Sequence, residues 1–361
     1  MKTSRYFFER IPNSTLFLAL VSVLFIKIIL YFLIHDGFLN ISLGGGSDAD
    51  YYDAYTQGRI NIAANTWPVI LRYLNNIDLY SRDVITFIIF LLNLIFIPII
   101  TIKLAELSLK SNQKYYFYIA LLCSSYPTLF FYAFDIYRDV FMVFSFLIGC
   151  LTVKKFINSN GFLSFVFYLS ISILIGVFLL GLRPYLGYAF LLSIFLWKIK
   201  FTKKRLIFFG FLYFLVLFFA NYAGYLNALT EYRSGFEESG GGSTLGLNFS
   251  NPIMFIPNFI LSMVGQLFGL YITNPLAVIL LAIETIPFFF MLIYIIKNIR
   301  LADGFVRFLI IFFVLYASVW LIGNDNLGTA VRLRLYNYFA VYIGFFYMLR
   351  LKSLSSKKYR L

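Results

Sequence analysis

Long apolar runs separated by short polar breaks dominate the chain, at 15–34, 84–105, 115–132, 140–157, 162–181, 184–200, 206–223, 275–296, 307–323 and 336–350. A helix needs about 20 residues to cross a hydrocarbon core of about 30 Å, and most of these runs meet that length or fall just short of it. The pattern predicts an all-α, polytopic membrane protein with about ten transmembrane helices, one of the shorter runs being open to a re-entrant reading. The first run follows Lys2, Arg5 and Arg10, and no small-residue cleavage site succeeds it, so it reads as a retained span. Two longer interruptions, 36–83 and 224–274, are the places where polar chemistry collects. The second starts polar and Gly-rich, from Glu237 to Ser243, which suggests a lid. It continues as an apolar stretch from Ile253 to Tyr271, cut by proline at Pro252 and Pro257, which suggests a helix lying in or dipping into the interface. No fixed-period repeat is present, and residues 1–361 read as a single integral membrane domain.

Composition agrees. The 361 residues are 61% hydrophobic, 21% aromatic and 13% charged, about half the charge that a soluble domain carries. The formal charge of +14 suggests nucleic acid until its distribution is read. With both termini in the cytoplasm, most cations fall in cytoplasmic loops and most acids outside, which is the ordinary signal that orients a membrane protein. The basic charge is therefore topological, no nucleic acid is implied, and 45–80, 225–270 and 325–334 are expected outside. Cys123 and Cys150 lie inside apolar runs and offer neither a disulfide framework nor a metal site.

The external cations are Arg59, Arg72, Arg82, Arg138, Arg183, Arg233, Arg332 and Arg334, with no lysine among them. A planar guanidinium grips phosphate or carboxylate in a fixed, bidentate geometry that lysine cannot match. Arg183, Arg332 and Arg334, at predicted helix ends, are the candidates for binding an anionic ligand, with Arg332 and Arg334 expected on one side of their segment. Arg59 and Arg233 read as loop tethers that lysine should replace. The first external loop carries Gly44-Gly45-Gly46-Ser47-Asp48-Ala49-Asp50-Tyr51-Tyr52-Asp53, and a second acidic turn carries Asp135-Ile136-Tyr137-Arg138-Asp139. Asp139 also suits a helix start, where a carboxylate favours the dipole. Deep within the apolar runs, away from their ends, the charged residues are Lys27 and Glu284, and they are candidates for a structural tie across two spans.

Together, the Asp-x-Asp motif after the first span, Trp67-Pro68 before the second, Tyr126-Pro127 with Arg138-Asp139, and late arginine-bearing loops resemble polytopic GT-C-type glycosyltransferases. With the Gly-rich external loop the chain most resembles bacterial O-antigen polymerases of the Wzy type, although the Arg-x(10)-Gly pattern of some polymerases is absent. The resemblance implies a GT-C-like fold in the bacterial inner membrane and a polyprenyl-(pyro)phosphate-linked saccharide as substrate. Membrane lipid and polysaccharide-assembly proteins are the implied partners. It maps Asp48 and Asp50 onto the catalytic first-loop acids. Asp53, Asp135, Arg138, Asp139, Arg183, Arg332 and Arg334 then become substrate-binding residues. The chemistry fits: a pyrophosphate leaves readily once cations stabilise its oxygens, while the acceptor hydroxyl needs a carboxylate base, preferably one held partly out of water. A divalent cation held by Asp48, Asp50 and the pyrophosphate is the one cofactor this chemistry admits. Tyr51, Tyr52 and Tyr55 suit either sugar stacking or the interfacial belt. A lipid-linked oligosaccharide transporter and a transferase moving one sugar from polyprenyl phosphate are the alternatives.

Overall fold

The computed structural model of the chain describes residues 11–39, 48–238 and 243–358. Gly44 to Gly46, the Gly240 to Gly242 run of the expected lid, and Lys2, Arg5 and Arg10 lie outside the described residues. The structure is 78% helical, and among the described residues the only β feature is an isolated bridge between Thr244 and Asn326. The all-α expectation holds. The chain divides into two compact units, Met1–Pro184 with Leu349–Leu361, and Tyr185–Met348.

In the first unit the helices are α1 (Asn13–His35), α2 (Asp48–Thr56), α3 (Thr66–Asn76), α4 (Arg82–Leu104), α5 (Gln113–Ser124), α6 (Pro127–Phe131), α7 (Arg138–Ile157) and α8 (Phe162–Leu182). The expected span at 115–132 is broken. Tyr126, preceding Pro127, is extended (its φ of −73 suits both states, but its ψ of 105 is not helical), because a residue before proline is pushed out of the helical region. In α4 a π-helical turn at Leu92–Phe96 stands just ahead of Pro98, which has no N–H to give the ladder. The core of this unit lies along α7, where Val140, Val143, Phe146, Leu147 and Cys150 are fully enclosed. Lys27 lies in this core too. Its Nζ donates to Asn93 Oδ1 at 3.4 Å and sits 4.7 Å above the Phe130 ring. The expected tie to Glu284 is therefore replaced by polar and π partners within its own unit.

The second unit contains α9 (Pro184–Leu196) from Tyr185 on, α10 (Lys203–Tyr222), α11 (Asn227–Glu238), α12 (Pro252–Leu267), α13 (Pro275–Lys297), α14 (Gly304–Gly323), α15 (Leu327–Leu333) and α16 (Leu335–Lys358) as far as Met348, its remainder belonging to the first unit. Every residue of α16 from Leu335 to Met348 is buried. Its polar Asn337 is satisfied by α14, accepting from Trp320 Nε1 at 3.0 Å and donating to Phe313 O at 2.9 Å.

Among the described residues seven helices, α1, α4, α7, α8, α10, α13 and α14, are long and apolar enough to cross a membrane. They coincide with seven of the ten expected spans. Of the rest, α9 reaches only about 20 Å at 1.5 Å per residue, the 115–132 run is broken, and α16 is long but rich in tyrosine. On α1 and α10 only 11% and 6% of the apolar window is buried, leaving side chains such as Phe25 and Phe208 on the outer surface. Such helix surfaces suit hydrocarbon and not water, so the chain is a membrane-embedded helical protein.

Candidate functional site

The loop after α1 folds into α2 because its apolar positions recur at helical spacing. Ala49, Tyr52, Tyr55 and Thr56 are buried on one face, against α3, while Asp48 and Asp50 stand in the first turn, where the helix dipole favours anions. The helical geometry separates the two candidate catalytic acids. Residues two apart do not face each other on a helix, so Asp50 shares a face with Asp53 instead. No group of three His, Cys, Asp or Glu among the described residues suits a metal ion.

Arg82, the first residue of α4, organises this face. Its Nε and Nη2 grip Asp135 at 2.9 and 2.5 Å, and Nη2 also reaches Asp50 at 2.8 Å. The acidic loop and the acidic turn thus meet on one guanidinium. Asp50 remains 67% exposed, Asp135 25% and Arg82 35%, so the cluster opens to solvent. Asp50 is not the water-shielded carboxylate that a strong base was expected to be. Asp53 is more enclosed: it accepts from Tyr80 Oη at 2.7 Å and lies 3.8 Å from Arg59. Burial, reinforced by the bond to the Asp53 carboxylate, pushes the Tyr80 phenol above its ordinary range and keeps it a neutral donor. The tyrosines of α2 are structural: Tyr52 and Tyr55 are buried, and Tyr51 donates to Ile62 O at 2.5 Å while accepting from Ala64 N at 2.9 Å.

The acidic turn continues directly into a second cluster. Trp67 Nε1 donates to Ile136 O at 2.8 Å, tying the aromatic-proline segment to the turn. Arg138 Nη1 donates to Leu182 O at 3.0 Å. Asp139, fully enclosed in the first turn of α7, lies 3.6 Å from the guanidinium of Arg183, itself 4% exposed. The end of α8 fits closely here, since a Cβ on Gly181 would stand 2.4 Å from Thr66 Oγ1. One unit therefore holds the partly exposed Asp50, Asp53, Asp135 and Arg138 together with the enclosed pair Asp139 and Arg183.

Arg332 and Arg334 belong to the second unit. They were expected on one side of an extended or starting segment, but Arg332 lies within α15 and Arg334 closes it, so they point to different sides. Arg334 Nη2 donates to Glu284 Oε2 at 2.9 Å, with the arginine 4% and the glutamate 0% exposed. The guanidinium also lies 5.3 Å over the Tyr338 ring. Glu284 stands in a π-helical turn, Leu281–Thr285, and its carbonyl accepts from Tyr342 Oη at 3.2 Å. Gly269 has φ +58, and a Cβ there would meet Arg334 Nη1 at 2.6 Å.

Arg233, expected to be a replaceable tether, is almost fully enclosed. It donates to Leu247 O at 3.0 Å from Nε and to Leu321 O at 3.1 Å and Asn324 O at 2.6 Å from Nη1, and it pairs with Asp325 through Nη2. Asp325 in turn accepts from Gly246 N at 2.9 Å. This arginine caps the carbonyls that the last turn of α14 leaves without partners and holds the 244–250 segment onto them.

Arg82 is the functional candidate that pattern reading passes over, although a signal for it exists. Tyr80-Ser81-Arg82-Asp83-Val84 opens α4 much as Ile136-Tyr137-Arg138-Asp139-Val140 opens α7, so two helices begin with the same Arg-Asp-Val. No family model matches the chain, and no characterised protein or solved structure shows significant similarity to it. Function must therefore be argued from this geometry.

Proposed function

We propose that the chain is a membrane glycosyltransferase of bacterial surface-polysaccharide assembly, acting at the external face on a polyprenyl-(pyro)phosphate-linked saccharide, with O-antigen repeat-unit polymerisation as its reaction. The observation that carries this reading is the convergence of Asp50 and Asp135, from two separate external segments, on Arg82. Arg82 Nη1 is the guanidinium nitrogen that neither carboxylate takes. A pyrophosphate oxygen drawn to it competes with the exposed Asp50 and not with the bidentate Asp135. Donor binding then frees Asp50 to accept the proton of the acceptor hydroxyl as that oxygen attacks the anomeric carbon and the C–O bond to pyrophosphate breaks. Asp135 keeps Arg82 oriented. In the same unit, the half-buried Arg138 guanidinium extends the positive surface for the leaving group, while Arg183 stays enclosed beside Asp139.

The test uses the purified chain in nanodiscs with a polyprenyl-pyrophosphate-linked oligosaccharide. Asp50→Asn should lower transfer by about 100-fold or more while donor binding persists, and Arg82→Lys should weaken donor binding itself. Wild-type transfer by Asp50→Asn would defeat the assignment. The transporter reading draws on one observation, the Glu284–Arg334 pair enclosed beside a π-helical turn of a membrane-length helix. It predicts lipid-linked oligosaccharide translocation that Glu284→Gln abolishes and Asp50→Asn leaves intact.

A further inference from the structure

The end of the second unit at which α10 and α14 begin carries a pocket that shares no residue with the acidic cluster. Lys200, Phe201, Thr202, Arg300, Ala302 and Arg307 line a cavity of ≈ 350 Å³. None of the described carboxylates pairs with its three cations. Asp303, the nearest acid in sequence, is engaged by Val306 N at 2.9 Å and by Tyr347 Oη at 2.8 Å. Arg307 is held in place by carbonyls, its Nε donating to Asp303 O at 3.0 Å and its Nη1 to Lys198 O at 3.2 Å. Lys200 and Arg300 are exposed. The positive ends of two 20-residue helices, α10 and α14, add to the same field.

Beside this pocket runs a cleft of opposite character, lined by Leu206, Ile299, Val306, Leu309, Phe313 and Val341 among others. Ile299 and Val306 are the chain neighbours of Arg300 and Arg307, so the linings of the two cavities are contiguous along the chain at two places. From Val306 to Phe313 the cleft follows α14 for about 10 Å at 1.5 Å per residue. Since α14 is a membrane-length helix, the cations lie at its mouth and the apolar walls lead into the hydrocarbon region.

We propose that this is a binding site for one anionic glycerophospholipid, its phosphate among Lys200, Arg300 and Arg307 and an acyl chain laid along the apolar walls of the cleft, whose ≈ 50 Å³ takes only a short segment of it. A free phosphate would use the cations alone, and a lipid with a neutral headgroup would use the cleft alone. The adjoining of an uncompensated cationic pocket and an apolar cleft selects a molecule with both parts. The site takes a structural lipid at the end of α14 opposite to Arg233 and Asp325.

The experiment strips the purified full chain of lipid in a neutral detergent and follows thermal unfolding as one probe is added back. Dioleoylphosphatidylglycerol should raise the midpoint in a saturable way. Dioleoylphosphatidylcholine and inorganic phosphate should not, and dihexanoylphosphatidylglycerol should need at least tenfold more lipid. Lys200→Gln with Arg300→Gln, both exposed and therefore compatible with folding, should weaken the phosphatidylglycerol response at least tenfold. The equally discharged Lys103→Gln with Lys110→Gln should leave it unchanged. An equal response to phosphatidylcholine would make the site merely hydrophobic. A full response to inorganic phosphate would make it an anion site without lipid. An unaltered response in the pocket variant would place the lipid elsewhere. Any of these three outcomes overturns the proposal.

Discussion

Replacing Arg233 by lysine separates a loop tether from a structural keystone more sharply than any other change. A tether needs only charge, and lysine keeps it. The enclosed Arg233, however, divides its donors among the carbonyls of Leu247, Leu321 and Asn324 and the carboxylate of Asp325, spread over directions that a single ammonium cannot cover. Lysine retains the ion pair with Asp325 and at most one or two of the carbonyls. Each buried acceptor left without its donor costs about 1 kcal/mol, so Arg233→Lys should destabilise by about 2–3 kcal/mol. Arg233→Leu also leaves Asp325 charged and enclosed, at a cost of about 3–5 kcal/mol. For a unit of this size, about 2–4 °C per kcal/mol is expected, so the apparent midpoint in detergent should fall by about 4–12 °C for lysine and further for leucine. Arg59→Lys is the control, because Arg59 is 66% exposed and makes one contact at 3.8 Å; it should shift the midpoint by less than about 2 °C. If Arg233→Lys and Arg59→Lys unfold alike, the keystone argument is wrong.

Gly269→Ala should cost about 2 kcal/mol or more, since its φ of +58 disfavours a side chain and its Cβ would meet Arg334 Nη1 at 2.6 Å; a midpoint equal to wild type would refute the close approach. Lys27→Met should be neutral to stabilising, as methionine fills the enclosed volume without a charge to desolvate, and collapse of expression would show that the ammonium is required. Tyr80 holds its proton more tightly folded than unfolded. As pH rises past about 10, the unfolded chain ionises first and stability falls; Tyr80→Phe should flatten that decline between pH 9 and 12, and an identical pH profile would contradict the buried bond to Asp53.

The apolar pattern located the helices because length and hydropathy are local properties, and α1, α4, α7, α8, α10, α13 and α14 all fall on expected runs. It failed where local chemistry interrupts an apolar run, as Pro127 does, and where a mixed segment hides a helix, as at Asp48–Thr56. The candidate acids and arginines were visible as residue types, but their pairing is a tertiary outcome. Nothing in the spacing distinguishes the exposed Arg59 from the enclosed Arg233, or assigns Glu284 to Arg334 instead of Lys27. Arg82 was discernible only through the Arg-Asp-Val that it shares with the start of α7.

The enclosure of α16 has a consequence for how the protein is made. This helix follows all seven more apolar helices along the chain, and its Asn337 and tyrosines give it less reason to enter a bilayer alone than any of them. The groups that satisfy Asn337, Trp320 and Phe313, are on α14. Membrane entry of α16 therefore waits on the helices around it, in a docking step that seats α16 as a wedge into a cavity already built. A fault in α14 would then be felt first as a misplaced α16.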